Sequence, residues 1–351
     1  MKKLEELVRP HLLHLTPYSS ARDEFSGKNG IFLDANENAF GSVLPEAYHR
    51  YPDPHQHKLK QKLARIKKIL PEWIFLGNGS DEAIDQIIRI FCVPGRDNVI
   101  VMPPTYDMYG VTATIHQAEV RKVPLTTQFE IDYEGVSRTI DKYTRLIFLC
   151  SPNNPTGNSF HRESIIRILQ NFEGITVIDE AYIDFSSSEG FLNDLNQYEN
   201  LIILQTLSKA WGLAGLRLGI AFAHPEIVRI MDKIKYPYNI NESTQKIVLD
   251  ALNFENRKDE MVKAILDQRS SLELKLKDLA FVEKVHHSDA NFLLVRFKDA
   301  SRVYEFLVNH NIIVRNRSKL VLCENSLRIT IGTAEENNAL INHLKKFKNE
   351  P

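Results

Sequence analysis

The sequence predicts an α/β protein, with a large domain built on a mostly parallel sheet between helices and a smaller α+β C-terminal domain. Three observations carry that expectation. From residue 74 onward, short apolar runs alternate with amphipathic helical patterns, the signature of strands buried on both faces by helices. The polar motifs rich in Gly, Pro, Asn and Asp each fall just after one of the apolar runs, where ligands gather at the carboxyl ends of such strands. Near residues 236–245 the alternation stops at Tyr236-Pro237-Tyr238-Asn239, and a different pattern follows. A chain of 351 residues is too long for one comfortable core and too short for three, so two domains are expected.

Taken in order, residues 1–30 read as an N-terminal arm, with one short helix carrying Leu4, Leu7 and Val8 ahead of a Pro-, Ser- and Gly-containing stretch. Residues 55–70 place Leu59, Leu63, Ile66 and Leu70 at helical spacing, with Lys58, Lys60, Lys62, Arg65, Lys67 and Lys68 forming a solvated face. Strands are expected at 98–102, 146–150, 176–179, 201–205 and 218–223, with helices such as 81–91 and 162–172 between them. Residues 31–240 are assigned to the large domain and 241–351 to the small one. The latter opens with a long connecting helix over about 242–278 and continues with strands at 291–297 and 327–331.

Composition narrows the functional classes. Lys plus Arg number 44 against 45 Asp plus Glu, so no global positive field argues for nucleic acid or an acidic membrane surface. No apolar run approaches the roughly 20 residues of a membrane span, and the start lacks an apolar signal core, so the cytoplasm is the expected compartment. Cys92, Cys150 and Cys323 are far apart and odd in number, which suits buried thiols in a reducing environment. No CxxC pair occurs, and the adjacent His286 and His287 read as a solvated loop, so no metal site is expected.

The chemistry concentrates in four motifs. Thr206-Leu-Ser208-Lys209 follows the 201–205 run. A lysine at a strand end in an interior pocket has its pKa lowered by desolvation and becomes a usable nucleophile for Schiff-base chemistry, although a lone Ser-Lys pair reads more readily as an exposed lysine starting a helix, and it is the accompanying motifs that change the reading. Asp179-Glu-Ala-Tyr182 follows residues 176–178, and its first carboxylate could pair with a protonated pyridine nitrogen. Ser151-Pro-Asn-Asn154-Pro155-Thr-Gly157 is a rigid turn that presents the Asn154 amide. Gly77-Asn-Gly79-Ser80-Asp81-Glu82 opens a helix and reads either as a well-capped start or as a phosphate site built on free amides and the dipole, with Arg217 either a fixed cation for that phosphate or a surface salt-bridge partner. The third glycine of a dinucleotide fingerprint is missing, which disfavours NAD.

This ordered set resembles the fold-type I aminotransferases dependent on pyridoxal 5'-phosphate, and more closely the histidinol-phosphate aminotransferase family. Leu33-Asp-Ala-Asn36-Glu-Asn38, Arg50-Tyr51-Pro-Asp-Pro54, Pro237-Tyr-Asn-Ile-Asn241 and Leu327-Arg328-Ile-Thr-Ile-Gly332 extend the likeness from about residue 30 to about 345. Ala39 and Ala334 stand where proline is usual, and neither touches a chemical group. The resemblance implies that Lys209 carries the cofactor as a Schiff base, that Asp179 pairs with the ring nitrogen, and that Asn154 and Tyr182 bind the phenolic oxygen. It also implies that Tyr106 stacks on the ring and that Gly79, Ser80, Asp81, Thr206, Ser208 and Arg217 surround the phosphate. Tyr51 would reach the cofactor of a second subunit, making the protein an obligate homodimer.

The implied reaction moves an amino group between glutamate and a phosphorylated keto substrate, so one pocket must accept a carboxylate and a phosphate. Arg328 and Arg315 are the candidate anion ligands because a guanidinium fork matches both geometries. Asn36 and Tyr18 are placed in the same pocket, whereas Arg317 is expected at the surface. A threonine-phosphate decarboxylase-like enzyme and an aromatic amino-acid aminotransferase share most of the cofactor motifs and are the competing readings.

Overall fold

In the computed structural model the described residues are 3–19 and 30–347, so the expected arm is seen only in part. The large sheet has seven strands: β1 (Ile74–Asn78), β2 (Asn98–Val101), β3 (Glu119–Lys122), β4 (Thr144–Cys150), β5 (Ile175–Asp179), β6 (Leu201–Thr206) and β7 (Leu218–Ala223). Their order is β1-β7-β6-β5-β4-β2-β3. Neighbours from β6 to β3 pair in parallel, and β7 runs antiparallel to both β1 and β6. The reversal of β7 follows from connection length. A parallel crossover needs a dozen or more residues, usually with a helix, and the short link from Thr206 to Leu218 carries only a 3-10 turn at Ala214–Leu216. That link bears Lys209 and Arg217, so the tight reversal places both beside the strand ends.

Strands β4 to β7 are buried along nearly their whole length, as continuous Val/Ile/Leu/Phe runs require when helices cover both faces. Helices Gly79–Phe91, Met108–Ile115 and Pro225–Ile234 pack one face, with Ile84, Ile87, Ile88 and Met231 in that core. The other face meets helices His57–Lys67 and Arg162–Asn171 through Leu59, Leu63, Ile165 and Leu169. The expected solvated lysine face holds with one correction. Lys60 is buried, and its Nζ lies 3.0 Å from the Asp232 carboxylate.

The second sheet has four antiparallel strands in the order β10-β11-β9-β8: β8 (Val282–Val285), β9 (Phe292–Phe297), β10 (Arg315–Asn316) and β11 (Ser326–Thr330). The single long helix expected over 242–278 is two helices, Glu242–Ala251 and Glu255–Lys277. The break has a packing cause: Val248 and Leu252 are buried in the core of the large sheet, whereas Leu272 and Leu276 are buried in the core of the small one. One straight helix could not turn its apolar stripe toward both. Among the described residues, no helix is long and apolar enough to cross a membrane. The three cysteines are free and buried, and burial raises the Cys323 thiol to about 12.

Glu180 is a buried carboxyl behind the site. Its oxygens accept from Gln205 Nε2 at 2.9 Å and from the Phe191 amide at 2.7 Å, and burial raises its pKa to about 7. A carboxyl whose folded pKa is raised binds more protons in the native than in the unfolded state between the two pKa values. Stability is therefore expected to fall as pH rises from about 4.5, the ordinary value, to about 7, and to level off above. Urea titrations across that window should show a shallower fall in Glu180→Gln, which has no proton to lose. An identical pH slope in the two proteins would refute the assignment.

Candidate active site

Asp179 ends β5 at the carboxyl edge of the parallel strands and is 3% exposed. The Tyr109 hydroxyl donates to its Oδ2 at 2.6 Å, and the Ala181 amide donates to Oδ1 at 3.0 Å. Burial nevertheless raises its pKa, an effect that Tyr109 and the amide only partly offset. A carboxylate held this way calls for a cation. The Lys209 chain is solvent-exposed by area, yet its amine is crowded by protein atoms. That crowding, with Arg328 next, lowers its pKa below the ordinary lysine value, while Asp179 opposes the shift. Lys209 Nζ sits 5.6 Å from the centre of the Tyr182 ring.

Asn154 is buried and bridges two elements. Its Nδ2 donates to the Tyr182 hydroxyl at 3.5 Å, and its Oδ1 accepts from Arg328 Nη1 on β11. The small sheet is thus tied to the turn after β4 by a charge-assisted bond. Neighbouring Asn153 fixes that turn from below, donating to the Pro104 carbonyl at 2.8 Å and to Thr156 at 2.7 Å.

The opposite wall is an anion cradle. Helix Gly79–Phe91 begins with Gly79 at φ 73°, and the Gly79 amide donates to the Arg217 carbonyl at 2.8 Å. Arg217 itself has φ 53°, a left-handed conformation that closes the 3-10 turn before β7, and its guanidinium reaches Asp81 at 3.4 Å. Asp81 also accepts from the Tyr106 hydroxyl at 3.0 Å. Thr206 Oγ1 lies 3.0 Å from Ser208 Oγ and accepts from the Ser208 amide at 3.1 Å. Helix N-terminus, hydroxyls and guanidinium converge as a phosphate site requires.

These groups enclose one cavity of about 360 Å³, which brings together Gly79, Ser80, Asp81, Tyr106, Asn154, Asp179, Tyr182, Thr206, Ser208, Lys209, Arg217, Arg315 and Arg328. Arg317 lines it too. This corrects the surface placement expected for that residue, whose side chain is only 16% exposed. The structure does not bring Asn36, Tyr18 or Tyr51 to the cavity of the same chain. Asn36 is exposed with φ 54°, Tyr18 is 74% exposed, and Tyr51 stacks on Tyr238 at 4.5 Å. Tyr109 went unread in the sequence because its spacing is that of a core aromatic, and it does stack on Phe148 at 4.8 Å.

The donor set fits a phosphorylated pyridine aldehyde. A buried carboxylate awaits a ring cation, a crowded amine a carbonyl carbon, and a helix N-terminus with Arg217 a phosphate. Against known proteins, residues 32–344 match the family described as aminotransferase class I and II. The chain belongs to that class. The histidinol-phosphate aminotransferase of Parabacteroides distasonis is 54% identical, covering 99% of this chain and 100% of its own length. That of Cytophaga hutchinsonii is 49% identical over 98% and 99%. Within the class, this chain is a member of the histidinol-phosphate aminotransferase family. Its fold superimposes on the Sinorhizobium meliloti family member, a structure in complex with pyridoxal 5'-phosphate, with TM-score 0.79, 25% identity and 90% of each chain covered.

Gly219 makes the cradle possible. A Cβ there would lie 2.1 Å from both the Gly79 carbonyl carbon and the Ser80 nitrogen, so strand β7 can pass the helix start only with a bare backbone. Gly219→Ala is expected to cost about 1–3 kcal/mol in urea unfolding, the usual range for overpacking. Gly215→Ala, where a Cβ would meet nothing within 4 Å, should change stability by less than about 0.5 kcal/mol. Equal costs at the two positions would contradict the close-approach explanation.

Proposed function

We propose that this protein transfers an amino group between glutamate and 2-oxoglutarate on one side, and histidinol phosphate and imidazole acetol phosphate on the other, in histidine synthesis. The observation that carries the reading is the cavity itself: a crowded lysine amine and a buried carboxylate meet there, with a phosphate cradle on one wall and arginines on the other. Relatives of the same length, about half identical throughout, support the same reaction.

Pyridoxal 5'-phosphate, when bound, supplies an aldehyde for the substrate amine and a protonated ring that withdraws electrons from the carbon losing its proton. Lys209 would anchor it and Asp179 would hold the ring nitrogen protonated. Asn154 and Tyr182 would bind the phenolic oxygen, Tyr106 would cover the ring, and Ser80, Asp81, Thr206, Ser208 and Arg217 would surround the phosphate. Lys209 Nζ would take the proton from the substrate α-carbon as general base and deliver it as general acid to the former aldehyde carbon of the cofactor, on the far side of the shared nitrogen. Its lowered pKa keeps more of the amine neutral near pH 7 than an ordinary lysine would. Tyr109 holds the Asp179 carboxylate in place through their 2.6 Å bond. Arg328, fixed by Asn154, and Arg315 bind the substrate anions.

Tyr51 is proposed to complete the site of a second copy, and Asn36 and Tyr18 to approach the substrate in the assembled dimer. Ile31, Leu33, Phe40 and Val43 precede Tyr51 and are 84–102% exposed, an apolar stretch suited to cover by a partner. The cytoplasm is the proposed compartment, consistent with three unpaired thiols.

Glutamate and histidinol phosphate should each shift the absorbance of the yellow holoenzyme. A shift with aromatic amino acids but none with histidinol phosphate would overturn the substrate. Lys209→Ala is expected to lose at least ~100-fold to 10,000-fold in turnover, the range of a lost general base, while keeping its fold by circular dichroism. Retained turnover would remove the mechanism. For the shared site, chains carrying Lys209→Ala and Tyr51→Ala are mixed after dissociation. One intact site then forms per mixed dimer, and activity should rise above the mean of the two parents. A mixture that only averages them would refute the crossing of Tyr51.

A further inference from the structure

Arg315, Arg317 and Arg328 form a cluster of three cations on the small-domain wall of the cavity. Strand geometry makes them neighbours. Arg315 lies directly opposite Arg328 in the β10–β11 pair, and the Arg317 amide donates to the Ser326 carbonyl at 2.9 Å, carrying the ladder onward. Residues two apart on a strand share a face, and directly opposed residues point the same way, so all three guanidiniums fall on one side of the ribbon.

Like charges so placed repel, and little in the protein answers them. Among the described residues, the one carboxylate paired with any of the three is Asp107, at 4.0 Å from Arg317 and with a side chain 64% exposed. The bond of Arg328 goes to the neutral Asn154 amide. The Nε atoms of Arg317 and Arg328 are both buried without a hydrogen-bond partner, leaving two donors on the cavity wall that an anion would satisfy. Burial lowers the pKa of both guanidiniums, and Arg315 lowers each further. Arg217, by contrast, is engaged with Asp81 on the opposite wall. The cluster is therefore a charge surplus separate from the cradle at the helix start.

Chemistry separates the two substrates that the proposed function requires. Glutamate carries two separate carboxylates, each with one negative charge and two oxygens that one guanidinium fork can hold together. A phosphate ester carries close to two charges and three free oxygens, and accepts more than one fork at once. Two arginines therefore suffice for the two carboxylates of glutamate, one fork each, whereas three forks converge on one group only when that group is a phosphate.

We propose that Arg317 is the specificity-determining residue for the phosphorylated substrate, binding the phosphate alongside Arg315 and Arg328 while contributing much less to glutamate. This rests on the amino-transfer reading above.

The test uses the holoenzyme and the variants Arg317→Gln and Arg317→Lys. Single-turnover kcat/KM is measured for histidinol phosphate and for glutamate, with inorganic phosphate as a competitive inhibitor of each. Arg317→Gln should lose about tenfold to 100-fold with histidinol phosphate, mainly in KM, and at least about tenfold less with glutamate. Its inhibition constant for inorganic phosphate should rise about tenfold. Arg317→Lys, which keeps the charge without the fork, should fall between. The glutamate reaction reports whether each variant is folded. Equal losses with both substrates, or an unchanged phosphate inhibition constant, would overturn the proposal. A wild-type enzyme inert toward histidinol phosphate would instead sink the amino-transfer substrate, and the inorganic phosphate measurement would still judge Arg317.

Discussion

The carboxylate of Asp179 has been taken out of water at the end of β5, and much of the site is arranged around that fact. Two hydrogen bonds, from Tyr109 and the Ala181 amide, hold its oxygens but do not compensate the lost hydration, which is why its pKa stands above the usual range. A buried anion is stable only next to a cation. Lys209 supplies part of that field, and a protonated ring nitrogen would supply the rest. The same burial that destabilises the ionised carboxylate strengthens its pull on a ring cation, because the local dielectric is low. Cofactor binding and carboxylate burial are two sides of one electrostatic arrangement.

That arrangement depends on backbone placed with little tolerance. The link from β6 to β7 must reverse within a short loop, so it brings Lys209 and Arg217 to the same edge as Asp179. Strand β7 must then pass the start of helix Gly79–Phe91 at backbone contact, which Gly219 and Gly79 permit. Turning tightly accounts for the left-handed Gly212 and Arg217, and passing closely accounts for Gly219. Across the cavity, Arg328 grips Asn154 and joins the small sheet to the turn that presents the amide. A movement of the small sheet would therefore be felt at the atoms meant for the phenolic oxygen.

Much of this was legible in the residues. Alternating apolar runs gave five of the seven strands of the large sheet, with β1 and the half-exposed β3 unread, and the polar motifs gave the lysine, the carboxylate, the amide and the helix start that share one cavity. What escaped was whatever depends on contacts distant in sequence. Tyr109 has the spacing of a core aromatic, and only folding reveals its hydroxyl beneath Asp179. The break at residues 252–254 carries no proline or glycine, and its cause is that two cores lie on different sides of one helical path. The reversal of β7 was invisible because strand direction leaves no mark in an apolar run. Arg317 was set at the surface since a second arginine two residues after Arg315 resembles a solvated pair, yet strand periodicity points both to the same face.

The cavity is divided electrostatically, and the division answers the difficulty of two unlike substrates in one site. Its floor is acidic and committed: Asp179 is held by Tyr109, and Asp81 by Tyr106 and Arg217. Its small-domain wall is cationic and largely uncommitted, with Arg328 bonded to a neutral amide and lying 5.3 Å over the Phe292 ring, and Arg317 paired with an exposed Asp107. Fixed charge on the cofactor side holds the reacting atoms in one geometry for both half-reactions. Surplus charge on the other side lets the anion vary in oxygen count and valence without moving those atoms. Had Arg328 been paired with a carboxylate rather than Asn154, each substrate anion would have had to displace it, and the affinity gained from the guanidinium would have been largely cancelled.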